Sequence, residues 1–458
     1  MYKINFKKPV HVHFIGIGGI SMSGLAEILL KEGFTVSGSD NKESALTAHL
    51  EKAGATCFYG QKASNIIDGI DVVVYTAAIH EDNEEFQAAV QKGLPMLSRA
   101  ELLGQLMTNY KIPIAVSGTH GKTTTTSMLS HILLAGETDP TISVGGILKA
   151  IGGNIRVGSS EVFVTEACEY TNSFHHFSPK ISIILNIDED HLDFFKDLSD
   201  IRRSFRKFAE LLPADGTLII NGAIPDLHEI TDGLICNVRT FGLDSSMNYG
   251  ATNILHNKEG EASFDYIKDG EFVDRVLLSV NGNFNVENAL ASIAVADTIG
   301  ISVKTAEEGL KSFTGTKRRF ERKGEFNGIN IIDDYAHHPT EIIASLKAAR
   351  HFPHREMWCI FQPHTYTRTK ALFNDFVDAL TIPDHVILAD IFAAREVNTI
   401  GISSKDVADA LKAKGADVYY FPTFDEIENF CRTNCQKGDL LITMGAGDVV
   451  NIGENLLK

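Results

Sequence analysis

The run Ser117-Gly118-Thr119-His120-Gly121-Lys122-Thr123-Thr124 has the residue types of a phosphate cradle. Glycine lets a backbone close on phosphate oxygens, and a helix starting there offers N–H donors and the positive end of its dipole. In such a loop Lys122 would bring a point charge to the β- and γ-phosphates of ATP, and the Thr123 hydroxyl would bind Mg²⁺. The loop is shorter than G-x-x-x-x-G-K-T, whose first glycine would fall on Val116. A glycine turn capping a helix, with an exposed lysine, is the plainer reading of the same residues. Two acidic groups follow: Glu166 in VTEACEY, and Asp188-Glu189-Asp190-His191-Leu192-Asp193 after IILN. Carboxylates that end strands beside a phosphate loop supply further Mg²⁺ ligands. Taken alone, a DEDH run is a solvated turn and helix cap.

Other polar constellations lie at each end of the chain. Gly16-Ile17-Gly18-Gly19-Ile20-Ser21 follows an apolar run, and Asp40 ends the next one. That pattern approaches the dinucleotide fingerprint, so a nicotinamide-dependent dehydrogenase is a competing reading; Ser21 stands at the third glycine position, and the turn suits any diphosphate, including a UDP-sugar. Toward the C-terminus come Asp333-Asp334-Tyr335-Ala336-His337-His338-Pro339 and Phe361-Gln362-Pro363-His364-Thr365-Tyr366-Thr367-Arg368. These suit either a metal-dependent phosphoesterase or polar loops capping helices. Lys317-Arg318-Arg319 is a solvated face, or a cation cluster for an ATP phosphate or ribose. His175-His176 has no partner at ligand spacing. Cys431 and Cys435 are one helical turn apart but lack a second pair, so two plain thiols are expected.

These groups need elements to hold them. Short β-branched runs at Val10–Gly16, Thr35–Ser39 and Asp71–Thr76 alternate with helical patterns at 23–32, 45–53 and 84–92. This is the grammar of a parallel sheet covered on both faces. A second unit opens at Ile112–Ser117, continues through Val162–Glu166, Ile181–Asn186 and a helix over 201–212, passes a strand-rich stretch near 230–280, and closes with a helix over 286–299. A third has strands at Ile329–Asp333, Trp358–Phe361, Val386–Asp390 and Leu440–Met444. We therefore expect an α/β protein of three domains, 1–110, 111–314 and 315–458, for 458 residues exceed one core. A net charge of −17, with no stretch that collects Lys and Arg on the scale needed to neutralise a phosphate backbone, argues against nucleic acid. No apolar run reaches membrane-span length, and no signal-peptide pattern precedes the first strand, so a cytoplasmic protein without membrane insertion is expected.

Eight segments in order, HFIGIGGISMSGLA, VSGTHGKTTTT, TEACEY, NIDEDHLD, KRRFE, DDYAHHPTE, FQPHTYTRT and MGAGD, resemble the Mur ligase family along the whole chain. The resemblance implies three domains: a Rossmann-like one for UDP, a central ATPase, and a Rossmann-like one for the amino acid. It implies an ATP- and Mg²⁺-dependent ligase joining L-alanine to the carboxylate of UDP-N-acetylmuramate through an acyl phosphate, as a monomer or weak homodimer. Carried over by position, Gly118, Thr119, His120, Gly121, Lys122, Thr123 and Thr124 hold ATP, Thr123 and Glu166 bind Mg²⁺, and His191 is the ligand of a second Mg²⁺ near the acyl group. Asn285 and Asn288 match the adenine segment; Arg318, Arg319 and Asp334 lie near ribose and phosphates. Tyr335, His337, His364 and Arg368 surround the reacting carboxylate and alanine, with His337 as base. Gly18, Gly19, Ile20, Ser21, Asp40, Thr76 and Arg99 meet the UDP group. A tripeptide-recycling ligase shares most of these segments. Ligases of the later steps carry an activated lysine where His191 takes the metal-side role, and a non-enzymatic nucleotide regulator would not need the two C-terminal segments. The chain departs from the common family pattern at Cys168, which replaces an acid, at Phe284, often His, and at Thr365, often Arg.

Overall fold

The computed structural model describes residues 2–76, 78–192, 194–394 and 396–458; Asp193 of the acidic run lies outside them. The chain gathers into two compact units. The first comprises Met1–Ile187, Arg202–Thr240 and Val295–Ile301; the second comprises Asp188–Ile201, Phe241–Ala294 and Ser302–Lys458.

The first unit holds two sheets. One has five parallel strands in the order Thr56–Tyr59, Thr35–Asp40, His11–Ile15, Val72–Tyr75, Met96–Ser98. Chain order reverses between His11–Ile15 and Val72–Tyr75, and their C-terminal ends open the crevice where such sheets bind ligands. Val12, Phe14, Ile15, Val72, Val73 and Val74 are fully buried, which accounts for the unbroken apolar runs. Helix Ile20–Lys31 starts three residues earlier than its apolar pattern predicts, so Ile20 and Ser21 form its first turn. In the other sheet Ile112–Ser117 lies between Ile181–Ile184 and Val162–Glu166, all parallel, with Ser117 paired to Ile184 and Val116 to Glu166. The hairpin Thr141–Leu148/Gly153–Arg156 extends it on the Glu166 side.

The second unit carries the antiparallel strands Tyr249–His256, Glu261–Lys268 and Glu271–Asn281. It also carries a six-stranded sheet in the order Glu321–Phe326, Ile329–Asp334, Leu440–Met444, Met357–Phe361, His385–Leu388, Asp417–Tyr420. Alternate residues of that sheet face two separate cores. Ile332, Met357, Cys359 and Phe361 pack with Ile342, Leu346 and Leu411, whereas Ile331, Trp358 and Ile360 pack with Ile427, Ile452 and Leu456. Both faces of its central strands Ile329–Asp334, Leu440–Met444 and Met357–Phe361 are thus covered. Among the described residues no helix is long and apolar enough to cross a membrane.

Candidate functional site

Strand Ile112–Ser117 delivers the phosphate loop and helix Lys122–Ala135 leaves it. Gly118 has φ +141°, and a Cβ there would stand 2.8 Å from Leu185 Cβ, so only glycine fits this turn. Gly121, at φ +84°, precedes the helix, whose start no side chain caps. Asn186 secures the loop: its carbonyl accepts the Thr119 N–H at 3.2 Å, and its Oδ1 accepts the His120 N–H at 2.8 Å. Nothing in the spacing of IILN singles this asparagine out.

Lys122 folds back on its own loop. Its ammonium donates to the carbonyls of Gly118 and Thr119 and to both Glu169 oxygens, at 3.2 and 3.0 Å. Burial acts to lower the lysine's pKa, but Glu169, with Cys168 and Glu166 behind it, outweighs burial and keeps the group above its ordinary value and charged. Burial raises the Cys168 thiol, which therefore stays neutral where the family pattern has an acid. Thr123 Oγ1 donates to Glu166 Oε2 at 3.0 Å, which brings two of the predicted metal ligands together at the strand end. Thr124 is buried one residue further into the helix.

The first turn is held equally tightly. The Gly18 N–H donates to Asp40 Oδ2 at 2.9 Å, and a Cβ on Gly18 would meet that oxygen at 2.8 Å. Gly19 is the N-cap of helix Ile20–Lys31, with no side-chain cap. Thr76 packs beside Gly16, whose Cβ would lie 3.2 Å from Thr76 Cγ2. Arg99 opens helix Arg99–Met107, which the sequence reading missed, and donates to Ser21 Oγ at 3.1 Å. Burial lowers the Arg99 pKa, and Cys168 and Glu166 are close enough to oppose that shift. Asn154 Nδ2 donates to the Ile20 carbonyl at 2.7 Å, and a Cβ on Gly24 would collide with Ile155. The turn and the phosphate-loop acids are therefore neighbours within one unit.

In the second unit Asn285 and Asn288 are buried and bonded to each other at 3.1 Å, and Asn285 Nδ2 donates to the Asn281 carbonyl. The guanidinium carbons of Arg318 and Arg319 lie 4.9 and 5.0 Å from the Tyr335 ring centroid. Arg318 also reaches Asp333 and the Gly445 carbonyl. Asp334 is buried and shapes its own loop: Oδ1 accepts the Ala336 N–H and Oδ2 the Ser345 hydroxyl. Burial pushes this carboxyl up to about 6.

His337 Nδ1 lies 3.0 Å from the Tyr335 carbonyl, which can only accept, so Nδ1 carries the proton and Nε2 presents its lone pair. Burial pulls this imidazole down to about 4, and the Arg368 charge works in the same direction. His364 faces His337 at 5.8 Å between ring centroids and accepts from Arg368 Nη1 at 3.2 Å. Arg368 also donates from Nε and Nη2 to Asp190 Oδ1, at 3.2 and 2.7 Å. The Arg368 charge holds the Asp190 carboxyl well below the usual range against the effect of burial. The next residue, His191, has φ +54°. Thr365 has φ +65° and ψ +147°, a region that glycine occupies and other residues do not. Two backbone N–H groups beyond it, from Tyr366 and Thr367, donate to Glu396. Positive φ thus occurs at two of the residues singled out for chemistry, His191 and Arg318, and at Thr365, one of the departures from the family pattern.

A strand–loop–helix phosphate cradle beside acids, with a separate imidazole–guanidinium cluster, defines an ATP-binding α/β protein equipped for transfer chemistry. Three family models match in sequence: Mur ligase family, catalytic domain, over 11–111; Mur ligase middle domain over 116–296; and Mur ligase, glutamate ligase domain over 318–447. The chain belongs to the Mur ligase family, whose members depend on ATP. It is 60% identical, over all of both chains, to the UDP-N-acetylmuramate–L-alanine ligase of Agathobacter rectalis. A solved UDP-N-acetylmuramate-alanine ligase from Thermotoga maritima superposes with a TM-score of 0.80 at 30% identity, covering 98% of each chain. A murein peptide ligase from Psychrobacter arcticus, covering the same share of both chains, gives 0.71 at 28%.

Proposed function

We propose that this chain joins L-alanine to the carboxylate of UDP-N-acetylmuramate at the expense of ATP, a step of peptidoglycan precursor synthesis. The observation that carries this reading is end-to-end likeness to a ligase of that name in a chain that pairs Thr123 with Glu166 and brings His364 together with His337 and Arg368. We take the UDP-sugar domain as 1–110, the ATP domain as 111–314 and the amino-acid domain as 315–458.

Gly118 to Thr124 hold the ATP phosphates, Asn285 and Asn288 the adenine, and Arg318 and Arg319 the ribose side, with Asp334 fixing the loop that carries Tyr335. Among the described residues no three His, Cys, Asp or Glu side chains cluster as a metal site. Mg²⁺ tolerates this, because it takes few protein ligands and completes its shell with phosphate oxygens and water. Thr123 and Glu166 would hold one Mg²⁺, which would neutralise charge on the phosphates, and His191 would hold a second near the acyl group.

A carboxylate resists attack until one oxygen becomes a leaving group. The muramoyl carboxylate attacks the γ-phosphorus, ADP departs, and an acyl phosphate forms; the loop amides and Lys122 stabilise the charge. Alanine's ammonium first loses one proton to solvent; the neutral amine then adds to the acyl carbon, and collapse of the tetrahedral adduct expels phosphate. The amine becomes strongly acidic only as the C–N bond forms. An imidazole held near 4 serves at that moment, with Nε2 of His337 as acceptor. Arg368, released from Asp190, would turn to the anionic substrate.

The test is ADP release with Mg²⁺, ATP and UDP-N-acetylmuramate, with L-alanine present or absent. Release that requires both the UDP-sugar and alanine is expected. Release driven by the wall tripeptide instead would move the chain to the recycling branch. No release with any amine would sink the ligase reading.

A further inference from the structure

Four side chains of the first sheet and one of helix Glu84–Gln91, outside every role assigned above, form one continuous polar chain. His11 Nε2 and His13 Nδ1 both lie 2.8 Å from Ser37 Oγ. His13 Nε2 meets Glu85 Oε1 at 2.7 Å, and Ser39 Oγ donates to Glu85 Oε2 at 2.5 Å. His13, Ser39 and Glu85 are 0% exposed and Ser37 is 1% exposed. The serine–histidine–carboxylate order is that of a hydrolase, but no substrate carbonyl can reach so deeply buried a hydroxyl. Nucleophilic chemistry is excluded, and the cluster calls for another explanation.

A buried ionisable pair is weak evidence for stability, since apolar side chains of the same volume commonly serve as well or better. What this pair does is join three elements at the ligand end of the sheet: His13 on His11–Ile15, Ser37 and Ser39 on Thr35–Asp40, and Glu85 in the first turn of helix Glu84–Gln91. Ser39 is the point of contact with the glycine turn. Its carbonyl accepts the N–H groups of both Gly16 and Ile17, at 2.8 and 2.9 Å, while its hydroxyl is tied to Glu85. The next residue, Asp40, accepts the Gly18 N–H. Every backbone donor from Gly16 to Gly18 is thus fixed by the two residues at the end of one strand. Gly38 permits the close approach, because a Cβ there would sit 2.6 Å from the Phe14 carbonyl.

We propose that Glu85, with Ser39 and His13, is a positioning group for the UDP-sugar: it sets the height of the glycine turn, so that the N–H groups opening helix Ile20–Lys31 converge on the diphosphate. The inference rests on the reading that the first sheet takes the UDP-sugar. Glu85 does not touch the ligand; it acts through Ser39.

The experiment compares full-length wild type, Ser39→Ala and Glu85→Gln by titration with UDP-N-acetylmuramate, by titration with ATP, and by steady-state kinetics. Losing a hydrogen bond to a buried carboxylate should raise Kd and KM for the UDP-sugar by about tenfold, with kcat and the ATP KM within about twofold of wild type. A UDP-sugar KM unchanged in a folded variant overturns the proposal, as does an equal loss for both substrates, which is what a merely structural role gives. Should Glu85→Gln fail to fold, Ser39→Ala decides, because it keeps the His13–Glu85 pair and removes one hydroxyl. Wild-type protein that binds ATP but no UDP-sugar would overturn instead the reading on which the inference stands.

Discussion

Arg368 divides its guanidinium between Asp190, which lies 178 positions away in the chain, and His364. In the sequence the DEDH run reads as metal ligands or a helix cap and Arg368 belongs to a separate segment, with nothing to pair them. Asp190 is nine-tenths buried, so removing its cation leaves an uncompensated carboxylate. Arg368→Ala should therefore destabilise the fold by about 3 kcal/mol, beyond its effect on catalysis. Asp190→Asn in the same chain should recover part of that loss, because the two changes share one interaction. Thermal melts of both single variants and the double variant check this; strictly additive shifts in Tm would mean the pair contributes nothing.

The loop following strand Ile329–Asp334 is where an element's own packing sets protonation. His337 is held near 4 against an ordinary value near 6.5. As pH falls, the unfolded chain takes up that proton first, so stability declines between about 6.5 and 4. Asp334 runs the other way. Raised to about 6, it keeps a proton in the folded state that the unfolded chain releases, so its contribution grows as pH falls from about 6 toward 3.8. Over the shared window the two offset each other. Asp334→Asn removes only the second, and its Tm should fall more steeply than wild type from pH 6.5 to 4. Parallel curves would show that Asp334 titrates normally. The strand itself was legible as INIID, and the helix after it from His338-Pro339, an N-cap followed by proline at N1. The burial that shifts both groups was not, because it comes from elements far along the chain.

At the scale of the molecule, the proposal gives the ATP phosphates and the UDP-sugar to different sheets of the first unit. Lys122 lies on the loop of one, whereas Gly18, Gly19 and Asp40 belong to the other. Lys122→Ala should lower kcat by about a thousandfold, the scale of losing a group that stabilises charge in the transition state. UDP-N-acetylmuramate binding, measured by titration, should stay within about twofold. Loss of UDP-sugar binding in that variant would place the lysine in the wrong site. The alternation of apolar runs and helical patterns foretold three sheets. It did not foretell that Asp188–Ile201 groups with the C-terminal residues, which depends on contacts such as Arg368 with Asp190.

The sequence by itself determined the α/β class, the phosphate loop and the acids at strand ends, because each is written within a few neighbouring residues. Glycine at 118 and 121, lysine and threonine at a helix start, and a carboxylate closing a β-branched run are local chemistry. Only the tertiary structure decided that Asn186 fastens the loop, that Asn154 reaches the Ile20 carbonyl, and that Glu85 is buried while its neighbour Glu84 is exposed. Helical periodicity sets adjacent glutamates about 100° apart but does not say which of the two turns toward the sheet. Which of them enters the core depends on where strands His11–Ile15 and Thr35–Asp40 place His13 and Ser39, and those side chains meet Glu85 only after the sheet has formed.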